Sequence, residues 1–279
     1  MAVETVTFEL FRLRLHEHFS LFPSQISRKA AILLAVNSAT LLNYRDHEWR
    51  TADLTIIDDD GVYFTFGRKS SISVVEYDPS TGKFEDGLAE NWPIVHIFLD
   101  ARIGLVAISR NGRLSRGSET VANRLKDMLA SFEAIRGFWD VDLKAIPDPE
   151  GFIEKLNQAF AIKKFSFEFW RPNPFDIDED LQKPLEEYLL QAGGYKGEVE
   201  IEGVKLDPEI IEAQARSAIA SSTETKALIQ EEANGGTIAI SSKDNKFETR
   251  EISFDVANFD DLRRSLEVIR EAYSNIRTG

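Results

Sequence analysis

The chain has 279 residues, of which 43% are hydrophobic, 29% charged and 10% aromatic, and it contains no cysteine. This apolar content can fill the core of one or two domains and excludes wholesale disorder, while the missing thiols exclude a disulfide framework, thiolate metal sites and a cysteine nucleophile. A formal net charge of -14 excludes a surface coated with cations, so any grip on nucleic acid has to be local.

In chain order, residues 5 to 16 alternate, with Val6, Phe8 and Leu10 on one phase and Phe11, Leu13 and Leu15 on the other. That pattern predicts an opening strand whose register shifts at a bulge. From Ser24 the spacing of Ile26, Ala30, Leu33, Leu34, Asn37 and Leu41 predicts a first helix behind Pro23. Between 53 and 110 the period becomes two, with turn residues at Asp58-Asp59-Asp60-Gly61, Asp78-Pro79-Ser80-Thr81-Gly82 and Asp100-Ala101-Arg102, the signature of an antiparallel meander. Ser118 is placed to cap a helix with a stripe of Val121, Leu125, Met128, Leu129, Phe132 and Ile135, stopped at Gly137. A β-α-β unit should follow: a strand from Val141 to Ile146, a helix opened by Asp148-Pro149, and a strand from Phe165 to Trp170.

Arg171-Pro172-Asn173-Pro174 reads as a stiff interlobe turn that fixes the directions of Arg171 and Asn173. Beyond it the spacing predicts a helix near 180–191, a short strand near Val199–Ile201 and a long helix from Asp207-Pro208 toward Ala233. A hairpin of Thr237–Ser241 with Phe247–Val256 and a last helix capped by Asn258 complete the chain. The expected class is α+β: a lobe of mostly antiparallel sheet with packed helices over 1–170, then a helix-rich lobe with a late hairpin over 171–279.

Charge marks one place for function. Residues 51–100 hold 3 basic and 10 acidic side chains, whereas 102–126 hold Arg102, Arg110, Arg113, Arg116, Arg124 and Lys126 against Glu119 alone. The stretch Arg110 to Ser118 joins a strand end to a helix start, where amides, the helix dipole and guanidinium forks together suit phosphate. The expected nucleic-acid-binding set is therefore Arg110, Arg113, Arg116, Ser118, Arg124 and Lys126; the competing structural role is a solvated loop whose arginines pair with nearby acids. Asp58-Asp59-Asp60 reads as a polar turn, His96 as a hydrogen-bonded core histidine, and His16 with His18 as the polar face of a strand end. Asp142-Leu143-Lys144 matches the short string of a metal-dependent nuclease, a chance-level match without a placed partner acid. No GxSxG, Walker A or GxGxxG string occurs, so the reading leans against a catalytic site and expects no cofactor, with a metal-dependent nuclease through Asp142 and Lys144 as the second alternative.

The layout from the meander through the strand-helix-strand of Val141 to Trp170, with its wording Phe165-Ser166-Phe167-Glu168-Phe169-Trp170-Arg171-Pro172-Asn173-Pro174, resembles RexA-type phage-exclusion proteins and related bacterial anti-phage defence proteins. The resemblance implies a cytoplasmic protein of phage or prophage defence that binds DNA or senses a phage product beside a partner protein, without catalytic residues to carry over. The acidic balance confines such DNA binding to the 102–126 patch. A protein-interaction scaffold or sensor subunit is the alternative, and a homo-oligomer is expected. The lack of any apolar run near the roughly 20 residues of a membrane helix and of a signal-like segment at Met1-Ala2-Val3-Glu4 agrees with the cytoplasm and with no membrane partner.

Overall fold

A computed structural model of the chain describes residues 3–17, 26–38, 40–170, 182–194, 196–244 and 246–279. The elements begin with β1 (Glu4–Val6), β2 (Phe8–Glu17), α1 (Arg28–Ser38), β3 (Leu41–Tyr44), β4 (His47–Ile56), β5 (Gly61–Arg68), β6 (Ser70–Asp78), β7 (Lys83–Asn91), β8 (Ile94–Asp100) and β9 (Leu105–Ser109). Then follow α2 (Ser118–Ser131), β10 (Trp139–Ala145), α3 (Glu150–Gln158), β11 (Ala161–Trp170), α4 (Gln182–Gln191), β12 (Lys196–Leu206), α5 (Pro208–Ala220), β13 (Thr225–Gln230), β14 (Thr237–Ser241), β15 (Ile252–Phe254) and α6 (Phe259–Thr278). The class is α+β.

The framework is a seven-stranded antiparallel sheet in the order β10-β2-β9-β8-β5-β4-β3. Both of its faces are buried, which explains the two apolar phases of β2 without a bulge: its ladders with β9 and β10 run in unbroken register. Phe11, Leu13 and Leu15 pack with Ala31, Ile32, Ala35 and Val36 of α1 and Val121, Leu125 and Met128 of α2. Phe8 and Leu10 point into the other core, with Phe165, Ile211, Ile219, Phe254, Leu262 and Ile269. The buried stripe of α1 thus lies one position away from the predicted one, and Leu34 and Leu41 are exposed.

A four-stranded antiparallel sheet, β12-β11-β13-β14, forms the floor of the second core. Because β11 ends at residue 170 and its sheet neighbours follow it, a boundary at 170 would cut this sheet. The strand-helix-strand of Val141 to Trp170 likewise bridges two sheets, β10 in one and β11 in the other, in place of a β-α-β unit. The long helix expected after Asp207 starts as predicted, Asp207 accepting from the amides of Glu209 and Ile210 ahead of Pro208. It stops at Ala220, where Ser222 takes φ 54° and Thr223 N–H closes on the Ala218 carbonyl, and Thr225–Gln230 becomes a strand inside the sheet. The predicted late hairpin is absent too: β14 pairs with β13, while residues 247–249 bond to Phe8, Leu10 and Ile146, and β15 pairs with β1. The last helix matches its reading, with Asn258 accepting from Asp260 N–H and Leu262, Leu266, Ile269, Tyr273 and Ile276 buried.

Candidate functional site

The loop after β9 is built by its own hydrogen bonds. Asn111 donates from Nδ2 to the Ile94 carbonyl at 2.7 Å, its Oδ1 accepts from Arg113 N–H, and its carbonyl accepts from the amides of Leu114 and Ser115. Leu114 is buried and anchors the turn, which leaves Arg113 and Arg116 pointing to solvent. Gly117, extended at φ -151°, precedes α2 and lends it no side-chain cap. The expected cap is therefore corrected: Ser118 is the first helical residue, 3% exposed, with its Oγ buried and without a hydrogen-bond partner among the described residues.

The six residues of the predicted set divide by what they touch. Arg110 donates from Nε to Glu9 Oε1 at 2.7 Å and pairs with Glu248, and the hydrogen bond to Glu9 leads in raising its pKa. Arg124 stacks over the Tyr44 ring, 3.3 Å from its centroid, and donates to Asp127 at 2.6 Å. Arg113, Arg116 and Lys126 form no ion pair with any described acid. The shallow concavity beside the loop is lined by Arg110, Arg116 and Lys246 together with Glu9, Asp148 and Glu248, an even balance of charge that does not favour phosphate. Lys246 itself pairs with Glu119 at 3.0 Å. Arg171, Asn173 and His18 lie outside the described residues.

The other sequence candidates make the following contacts. Lys144 Nζ sits 3.3 Å from Asp142 on the same strand face, and among the described residues no group of three metal-ligating side chains occurs. Asp58 accepts from the amides of Asp60 and Gly61 and from Arg270, whose hydrogen bond, opposed by burial, leads in lowering its pKa to about 2. His96 is buried 2.8 Å from the Tyr63 hydroxyl, and desolvation pushes its pKa down.

A more exposed feature lies within the meander. In β5 and β8, Gly67 faces Ile94; in β6 and β7, Ser70 faces Asn91, so the register carries straight on past the break at Trp92-Pro93. The two strand pairs are one long hairpin. Its inner part is flanked by β4 and β9, and its outer part, nine residues on each strand, pairs with no other strand among the described residues. Projected ~30 Å at strand rise, this is an arm. Cross-strand partners share a face, which puts Val75, Tyr77, Phe84 and Leu88 together, and these are 65%, 57%, 75% and 80% exposed. The Tyr77 and Phe84 rings pack tilted at 59°, with 5.5 Å between centroids. The sequence carries a partial signal for this in β7, whose only apolar residues are Phe84, Leu88 and Ala89, beside the more apolar β5, β8 and β9.

A model of the family described as "Domain of unknown function (DUF4747)" matches residues 51–256. The chain belongs to that family. The DUF4747 segment takes in the arm, the Arg110–Ser118 loop and the four-stranded sheet, and begins inside β4. No curated protein matches the chain. No helix is long and apolar enough to cross a membrane among the described residues.

Proposed function

We propose that this DUF4747 chain is a non-catalytic interaction protein that docks a protein partner through the β6–β7 arm. The observation that carries the reading is the apolar face of Val75, Tyr77, Phe84 and Leu88 on a two-stranded ribbon that no described element covers. An isolated two-stranded hairpin is marginally stable in water, and these four side chains present about 400–500 Å² to solvent, the size at which exposed apolar patches serve as contact sites. The layout resemblance to anti-phage proteins supplies the setting of the proposal, a cytoplasmic defence component acting beside a partner protein.

The test is site-specific photo-crosslinking in producing cells, with the reactive side chain at Phe84 and, as control, at the exposed Phe259. A discrete adduct at Phe84 that is lost when Val75 and Leu88 are changed to serine, with none at Phe259, supports docking by the arm. Equal adducts at both places, or none at Phe84, refute it.

A second reading, binding of DNA by the loop and α2, is favoured by one observation: Arg113, Arg116 and Lys126 have no acidic partner among the described residues. If they contact phosphates, each alanine substitution weakens binding to all sequences alike and lowers the salt slope by about one unit. A titration at two salt concentrations with wild type and the R113A/R116A/K126A variant decides it, and undetectable binding at low salt removes this reading.

A further inference from the structure

We infer that the partner of the arm is a basic protein segment, one that adds as an extended strand with apolar and cationic residues in alternation. The inference rests on the arm being a docking element and adds the chemistry of what docks. Residues 70–91 contain five acids and one lysine. Glu76 lies directly opposite Glu85 across the ladder, two exposed carboxylates on the face away from the apolar one, and no described cation pairs with either. Like charges directly opposite weaken a strand pair. Asp86 sits among the apolar residues, opposite Val75, also exposed and without an ion pair among the described residues. Glu90 at the root differs, since Lys69 and Trp92 hold it.

The arm therefore carries like charges that no described cation offsets, only Thr81 Oγ1 donating to Glu85 at 3.5 Å, next to an apolar surface that no described element covers. A strand added to either free edge sends alternate side chains to opposite faces. Apolar residues of such a strand would cover Val75 and Tyr77 from the β6 edge or Phe84 and Leu88 from the β7 edge, and lysines or arginines on the other phase would reach Glu76 or Glu85 beside them. A second copy of this chain is a poor occupant, because it would bring the same acids together in a protein of net charge -14, and nucleic acid is repelled by the same carboxylates.

The experiment pans a displayed library of random peptides on the full chain, with counter-selection on a V75S/F84S/L88S variant. Selected peptides are then synthesised and titrated against wild type, the counter-selection variant and E76Q/E85Q/D86N. The result expected is enrichment of peptides alternating apolar residues with Lys or Arg, binding that weakens with salt, and a loss of about tenfold in E76Q/E85Q/D86N, three exposed charge contacts together. Peptides that need the apolar face but lack basic residues and ignore the glutamine variant overturn the basic partner while leaving the arm as a docking element. Absence of any peptide that distinguishes wild type from V75S/F84S/L88S overturns both. Arm-dependent self-association in sedimentation, abolished by V75S/F84S/L88S, overturns the inference in favour of a second copy. All substituted side chains are exposed, so unchanged unfolding midpoints confirm that the variants fold.

Discussion

Arg110 separates a structural from a ligand-binding role most sharply. Glu9 is 2% exposed; its Oε1 accepts from Arg110 Nε and its Oε2 has no hydrogen-bond partner among the described residues. Arg110→Ala therefore strands a buried carboxylate. Removing one member of a fully buried pair costs roughly 3–5 kcal/mol. Arg110 is itself 54% exposed, so water reaches the gap and the loss expected is about 2–3 kcal/mol. For a chain of this size that lowers Tm by about 6 °C. Urea and thermal unfolding of R110A, with E9Q and the E9Q/R110A double variant, form a mutant cycle. Replacing the stranded charge with an amide should restore part of the stability, so the double variant should be more stable than R110A. A loss below about 0.5 kcal/mol, or additive effects in the cycle, would refute the assignment of Arg110 to the core ion pair.

Arg270 on α6 bonds to Asp58 and to the buried Asp100, so Arg270→Ala should lower stability near neutral pH by about 1–2 kcal/mol, a figure reduced for the exposure of Asp58. Because the folded pKa of Asp58 is depressed from 3.8 to about 2, its share is present above the unfolded value and lost as pH falls through the folded one; the deficit of R270A should shrink across that window, and an undiminished deficit at acid pH contradicts the pairing. Gly104 has φ +68°, and a Cβ there would lie 2.3 Å from the Leu13 carbonyl oxygen, so Gly104→Ala should cost about 1–3 kcal/mol by urea midpoint. Gly112→Ala, with nothing within 4 Å, serves as control and should change stability by less than about 0.5 kcal/mol.

Local chemistry made much of the architecture legible. The turns at Asp58–Gly61 and at Pro79–Gly82, the stripe of α2, the Asp207-Pro208 start of α5 and the Asn258 cap of α6 all follow from contacts within a few residues of chain, which a sequence displays directly. Pairing and exposure were decided elsewhere. Thr225–Gln230 continued a helical composition, yet it is a strand because β11 and β14 offer it hydrogen bonds on both sides. The bulge inferred in β2 came from reading two apolar phases as a shift, when a strand between two cores needs both. The predicted phosphate site lost Arg110 to Glu9, 101 residues away, and to Glu248, neighbours brought together by sheet registry rather than by spacing. The arm shares its period-two pattern with the strands of the sheet; its edges are unpaired among the described residues because β4 and β9 stop where the hairpin goes on, and strand length in the neighbours is a property that the hairpin's own residues do not encode.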